Sequence, residues 1–164
     1  MEMSTLQDLA IHSLKDAYSA ENQALKAFPA LIGAASHPEL KTAFQQHEQE
    51  TRQQVQRLEQ IFQKLGQEPG GVHCKGMEGL IAEAQELIGE DADPDVKDAG
   101  LIAAAQKMEH YEIAGYGTAC TFAKLMGHTE ALALLKQTLN EEETTDKKLT
   151  DIAVQVVNPD AAQA

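Results

Sequence analysis

Apolar residues recur at three- and four-residue spacing through four long stretches of the chain, which is the period of an amphipathic helix. In the first stretch, from about Ser4 to Ile32, the stripe reads Leu6, Ala10, Leu14, Ala17, Glu21, Leu25 and Phe28. Ser4 or Thr5 is placed to cap its start, Gly33 to end it, and Pro29 predicts a kinked or loosened last turn. The second stretch opens at "SHPEL", with Pro38 at a first helical position. It carries Leu40, Phe44, His47, Thr51, Gln54 or Val55, Leu58, Ile61 and Leu65, and stops at Gly66. The third starts near Pro94 behind Asp93 as cap and carries Ile102, Ala105, Glu109, Glu112, Tyr116, Ala119, Ala123 and Met126 before Gly127. The fourth runs from near Thr129 to about Val157 through Leu135, Leu139, Glu142, Asp146, Leu149, Ile152 and Val156. "NPDAAQA" reads as a frayed tail.

Connection lengths turn these stretches into a topology. The joins within the first pair and within the second pair are short, so each pair is expected to form an antiparallel hairpin. The connector between the pairs, about residues 66–94, opens with the loop "GQEPGG" and contains the short amphipathic pattern "GMEGLIAEAQELIGE". Its Leu80, Ile81, Ala84, Leu87 and Ile88 predict that it packs against the bundle. A helix of about 28 residues spans about 42 Å, a distance the connector is long enough to cross, so the third helix can run parallel to the second. The expected fold is all-α: a ferritin-like four-helix bundle of two antiparallel hairpins joined by a long crossover containing a short fifth helix. An up-down-up-down bundle with a loose connector is the alternative topology. The length of 164 residues suits a single domain over residues 1–164, and a composition rich in Ala, Gln, Glu, Leu and Lys with five prolines and no Trp favours helix.

Each apolar stripe is interrupted near its middle by acidic or imidazole residues: Glu21 in the first, His47 with Glu50 in the second, Glu109 with Glu112 in the third, and Glu142 with Asp146 in the fourth. Spacings of three and four set each pair on one helix face. Neighbouring helices run in opposite directions, so mid-helix positions meet at one depth. Isolated carboxylates in a low-dielectric core cost many kcal/mol each, and clustered ones repel one another. Two bound cations reverse the sign, because carboxylate and imidazole are their ligands. Glutamates from two helices with paired acid and His positions from two others are how bundle cores hold di-iron and di-manganese centres. The usual pairs are Glu-x-x-His. Here "HEQE" places the His first and "EETTD" has none, giving a harder, oxygen-rich donor set that leaves iron, manganese or zinc open. Taken singly, each residue has a plainer reading. Glu50 or Glu109 suits a boundary position, His47 a satisfied core histidine, and Asp146 a surface site beside Lys147 and Lys148. The coincidence of four interruptions is what argues for a joint site.

Charge and the remaining residues narrow the function classes. A net charge of −13 argues against nucleic-acid and anionic-membrane partners and suits a cation binder. No stretch approaches the ~20 consecutive apolar residues of a membrane span, and "MEMSTLQDLA" lacks a secretory signal core. Cys74 and Cys120 are too few and too distant for a disulfide framework or zinc motif, so a reduced compartment is expected. Cys74 reads as an ordinary loop cysteine, His73 as an unpartnered connector residue, and His110 as pointing away from the core. Tyr18 and Tyr116 lie near the expected site and suit core packing or hydrogen bonding to ligands. Gly115 and Gly117 each cost helix stability of about 1 kcal/mol relative to Ala, which suggests close approach of a neighbouring helix or a local bulge.

The stretches "DAYSAENQ", "HEQETRQQVQRLEQI", "GMEGLIAEAQELI", "AGLIAAAQKMEHYEIAGYGT" and "LNEEETTDKKLTDIA" together extend over nearly the whole chain. In them the chain resembles the YciF/YciE group of bacterial ferritin-like stress proteins. The resemblance implies a ferritin-like bundle related in fold to rubrerythrin, a homodimer, and a cytoplasmic bacterial protein linked to stress response. It sets the acidic and His positions of the group's motifs on Glu21, His47, Glu50, Glu109, Glu112, Glu142 and Asp146, and it supplies no substrate. The function expected is a di-metal carboxylate protein, holding iron first and manganese second, that reacts with peroxide or dioxygen. The alternative is a metal-stabilised or metal-free bundle acting through a protein partner. Iron storage in a cage is a weaker third reading, since it needs a shell of many subunits.

Overall fold

The structure, a computed structural model, describes residues 3–164. Its helices are α1 (Leu6–Ala34), α2 (Pro38–Leu65), α3 (Lys75–Gly89), α4 (Pro94–Leu125) and α5 (Thr129–Ile152), followed by a π-helical turn (Ala153–Val157) and a final helical turn, α6 (Asn158–Ala161). No strand occurs among the described residues. Local chemistry sets most of the boundaries. Thr5 and Asp8 close a reciprocal capping box at α1: Thr5 Oγ1 accepts from the Asp8 N–H at 3.1 Å and Asp8 Oδ2 accepts from the Thr5 N–H at 2.9 Å. Pro38 occupies the first turn of α2, and Asp93 caps α4. Gly66 and Gly127 end α2 and α4 in the left-handed region, at φ 63° and 72°.

Two boundaries differ from those the sequence pattern predicts. α1 runs through Pro29 and past Gly33 to Ala34. The reason lies on α4, where the buried Asp98 carboxylate accepts from the Ser36 N–H at 2.9 Å and the His37 N–H at 2.6 Å. That clasp fixes the turn into α2. The expected frayed tail is instead a helical turn. In the π-helical turn the Asn158 N–H bonds back to the Ala153 carbonyl, five residues earlier. The extra residue moves the apolar register by one, so Val157, rather than the expected Val156, is buried beside Ile152 and Ala153.

The apolar interior falls into two clusters stacked along the bundle. One joins Leu14 of α1, Leu58, Ile61 and Phe62 of α2, the C-terminal half of α4 from Tyr116 to Ala123, and Ala131 and Leu135 of α5. The other joins Ala20 to Leu31 of α1, Leu40 to Phe44 of α2, Leu101 to Met108 of α4, and Leu149 and Ile152 of α5. The start of α1 thus shares an end of the molecule with the end of α2, the end of α4 and the start of α5. α4 is therefore parallel to α2, and each hairpin is antiparallel. α3 lies in the crossover and packs on α1 and α4, with Met77 and Ala84 buried and Leu80, Ile81, Leu87 and Ile88 half-covering the second cluster. Among the described residues no helix is long and apolar enough to cross a membrane.

Replacing Asp98 by Ala leaves the Ser36 and His37 N–H groups, in the part-buried α1–α2 turn, without their charged acceptor. The variant is expected to lose about 2–3 kcal/mol of unfolding free energy, measured by urea titration at constant m-value. Asp98→Asn, which keeps one carbonyl acceptor, should lose less.

Candidate metal centre

The two apolar clusters are separated by a belt of polar side chains, one set from each long helix. α1 supplies Glu21, α2 His47, α4 Glu109 and Glu112, and α5 Glu142, all buried. His47, Glu109, Glu112 and Glu142 each offer a donor atom within 4.8 Å of the others. Each is carried there by the 3.6-residue period of a helix whose flanking turns are anchored in apolar packing on both sides. The His47 ring stands edge-on to Phe28, with centroids 5.6 Å apart.

The hydrogen bonds give each group a place. His47 Nε2 faces inward, 2.9 Å from Glu109 Oε1 and 3.3 Å from Glu142 Oε2. Its Nδ1 faces outward, 3.2 Å from Glu50 Oε2 and 3.2 Å from Thr145 Oγ1. Glu50 is about a quarter exposed and so stands behind the imidazole, where a carboxylate fixes the ring's orientation. Glu21 adjoins Glu112 and accepts from Tyr116 Oη at 2.5 Å. Asp146 is not brought into the cluster. Its carboxylate accepts from Gln106 Nε2 at 3.2 Å and pairs with the exposed His110 at 3.3 Å. Four carboxylate oxygens in the belt, Glu21 Oε2, Glu109 Oε2, Glu112 Oε1 and Glu142 Oε1, are buried without a hydrogen-bond partner, and Glu142 Oε2 has only the 3.3 Å approach of His47 Nε2. Native interiors satisfy such atoms. A set of unpartnered oxygens converging with one imidazole nitrogen is the donor set of a hard cation, and the residues fit that group.

Electrostatics point the same way. Burial raises the Glu21 pKa to about 8, with the Glu142 charge adding to it. Burial first, then the neighbouring glutamates, raise Glu112 and Glu142 well above the carboxylate range. Burial opposes a proton on His47, but the charges and hydrogen bonds of Glu109 and Glu142 outweigh it and hold its pKa well above the ordinary value. Glu50 is lowered, chiefly by its hydrogen bond to His47. The metal-free belt therefore holds protons that bound cations would replace.

Sequence reasoning missed several supporting residues. Thr145, three residues after Glu142, donates to Glu50 at 3.3 Å as well as facing His47. Arg57, three after Gln54, is buried between α2 and α5. It grips both oxygens of Glu141 at 2.6 and 2.7 Å and donates to Thr138 at 3.1 Å. Their spacing to named stripe residues was the available signal. Tyr116 does bond a belt carboxylate, whereas Tyr18 packs on Phe62 and donates to Glu59. Cys74 is fully buried and caps α3, its Sγ 3.0 Å from Tyr111 Oη and 3.3 Å from Asp16 Oδ2. His73, expected to be unpartnered, pairs with Glu78 at 3.1 Å.

Residues 5–162 match the family described as a domain of unknown function, DUF892. The chain belongs to the DUF892 family. Protein YciF of Escherichia coli K12 is 47% identical over 162 residues, 98% of each chain. The crystal structure of that E. coli stress protein superposes with a TM-score of 0.92, covering 95% of this chain and 99% of YciF. A Rhodopseudomonas palustris protein, YcfI, gives a TM-score of 0.88 at 45% identity, covering 91% and 95% of the two chains. The fold reaches further. A ferritin-like, diiron-carboxylate protein of Bacillus anthracis superposes at a TM-score of 0.70 with 16% identity, over 92% of this chain and 99% of that one. The resemblance to YciF and the ferritin-like bundle expected from the sequence both stand.

The raised Glu21 pKa fixes a pH dependence. A carboxyl whose folded pKa lies above its unfolded value of 4.5 contributes stability that is complete below pH 4.5 and is lost as pH rises through about 8. The neutral Glu21→Gln protein, free of metal, should match wild type near pH 4.5 and exceed it at pH 9 by on the order of 5 kcal/mol. Chemical denaturation of chelator-treated protein at the two pH values measures the gap.

Proposed function

We propose that this DUF892 protein is a di-metal carboxylate protein of the ferritin-like fold, holding iron first and manganese second, and that it reacts with peroxide or dioxygen. The observation that carries the proposal is the convergence of buried carboxylates from α4 and α5 with the imidazole of His47, their donor atoms within 4.8 Å of one another, beside the buried Glu21 of α1. Glu21, Glu109, Glu112 and Glu142 would hold the ions with His47 Nε2. Metal ions in such a site supply electrons and open positions for a small oxidant. The chain's own groups set the conditions. Glu50 and Thr145 orient His47 through Nδ1, leaving Nε2 free to donate once its proton departs. Tyr116 Oη holds one oxygen of Glu21, and burial with the Glu21 charge keeps that phenol protonated. The apolar clusters above and below the belt keep bulk water out. The reductant is external, since the chain has two cysteines and lacks a cysteine-based electron-transfer module. The kinship with a stress protein, YciF, supports a role in stress response. We extend the proposal to a homodimer in the cytoplasm, as the same kinship implies.

A second reading is favoured by the depth of the belt, with Glu21 and Glu142 fully buried: metal held for stability alone, with the acidic surface serving a protein partner. Anaerobic loading separates the two. The proposal predicts two Fe²⁺ per chain and, on adding peroxide or dioxygen, oxidant consumption with an oxo-bridged ferric absorbance. Glu112→Gln and His47→Ala should each cut both by at least about tenfold. Metal that raises the melting temperature without any oxidant consumption would favour the second reading.

A further inference from the structure

The seam between α1 and α4 holds two cavities that share four residues. The outer one is an open groove of ≈ 440 Å³ whose wall includes His12, Ser13, Asp16, Tyr111 and Gly115. The inner one is a narrow pocket of ≈ 30 Å³, also walled by Ser13, Asp16, Tyr111 and Gly115, and it reaches Glu112 and Tyr116 of the polar belt. Its volume is room for one or two waters. Polar atoms bracket the route. At the outer end the buried Nδ1 of His12 has no hydrogen-bond partner. At the inner end Glu112 is 5% exposed, and its Oε1 is likewise buried and unpartnered. Between them lies the carboxylate of Asp16, which accepts from Tyr111 Oη at 2.8 Å.

Gly115 explains why the seam is open. A glycine inside a long helix lowers its stability, and close packing by a neighbour is the usual reason for one. Here a Cβ on Gly115 would meet nothing within 4 Å, and α4 runs unbroken from Pro94 to Leu125. The neighbouring helix and the bulge expected from the sequence are both absent, and the exposed Gly115 leaves open the wall that both cavities share. Tyr111, also on the shared wall, is held by Asp16 and Cys74 and by Gly76, where a Cβ would run into the tyrosine ring.

We infer that the α1–α4 seam is the port by which a divalent cation reaches the belt, passing from His12 and Asp16 at the mouth to Glu112 within. The inference rests on the metal-centre reading above. The port sits where a cation would lose its water in stages, because oxygen and nitrogen donors replace it at each end of an inner pocket with room for one or two waters. Large anions and macromolecular reductants are excluded by the same width.

The test uses the metal-free full-length protein and Co²⁺ as probe, followed by its d–d absorbance in a stopped-flow instrument and by equilibrium titration. Gly115→Leu, which adds bulk to the shared wall of the two cavities without a clash at Cβ, should slow Co²⁺ uptake at least about tenfold, leave stoichiometry and final spectrum unchanged, and not lower the melting temperature. Gly115→Ala should slow it less, and it keeps the comparison available if the larger side chain disturbs folding. Asp16→Asn should slow uptake without changing the final spectrum. Gly117→Leu, on the same helix but outside both cavity walls, should load like wild type. Wild-type uptake rates in both Gly115 variants, with normal stoichiometry, would overturn the port alone. Failure of the wild-type protein to take up Co²⁺ would overturn the metal centre and the port with it.

Discussion

Negative charge confined in an apolar interior is the constraint from which the rest of this molecule follows. Glu21, Glu109, Glu112 and Glu142 are buried in the bundle, and the imidazole of His47 faces Glu109 and Glu142. Each isolated carboxylate would cost several kcal/mol to desolvate, and their mutual repulsion adds to that. Protons relieve the strain in part, which is why burial drives Glu21, Glu112 and Glu142 upward in pKa. Glu21 Oε2, Glu109 Oε2, Glu112 Oε1 and Glu142 Oε1 have no hydrogen-bond partner. Cations shared among these oxygens meet both demands at once.

The scaffold is arranged around that belt. Apolar clusters on either side clamp the four long helices, so the polar positions are held by packing they do not themselves supply. Fixed charges at the margins are matched locally. Arg57 neutralises Glu141 next to Glu142, Asp98 ties the α1–α2 turn to α4, and Glu50 pairs with the outer face of His47. Among the described residues no Lys or Arg pairs with the four buried glutamates that converge at the centre.

Most of the architecture was legible in the sequence because helical periodicity is a local property. Pro38, Asp93, Gly66 and Gly127 marked boundaries that the structure reproduces, and the apolar face of the connector announced a packed fifth helix. The Ala34 end of α1 was not legible, because it depends on Asp98, some sixty residues away. The π-helical turn was not either: a one-residue change of register leaves two adjacent valines equally plausible until one is seen packed. The centre followed the same division. Spacing of three and four brought Glu109 and Glu112 to one face and set His47 beside Glu50, but it said nothing of which way each head group turns. Glu50 and Asp146 therefore shared the status of Glu142 in the pattern, whereas in the structure Glu50 backs His47 and Asp146 turns to Gln106 and His110. Gly115 carried a true signal with the wrong cause, since the glycine faces open space rather than a neighbouring helix.

The most direct measurement is a crystal structure of the protein grown with Mn²⁺, with diffraction recorded on both sides of the manganese absorption edge. Two anomalous peaks inside the bundle, ringed by Glu21, His47, Glu109, Glu112 and Glu142, are the predicted result. An interior with no peak, its glutamates bonded to ordered waters instead, would contradict the account.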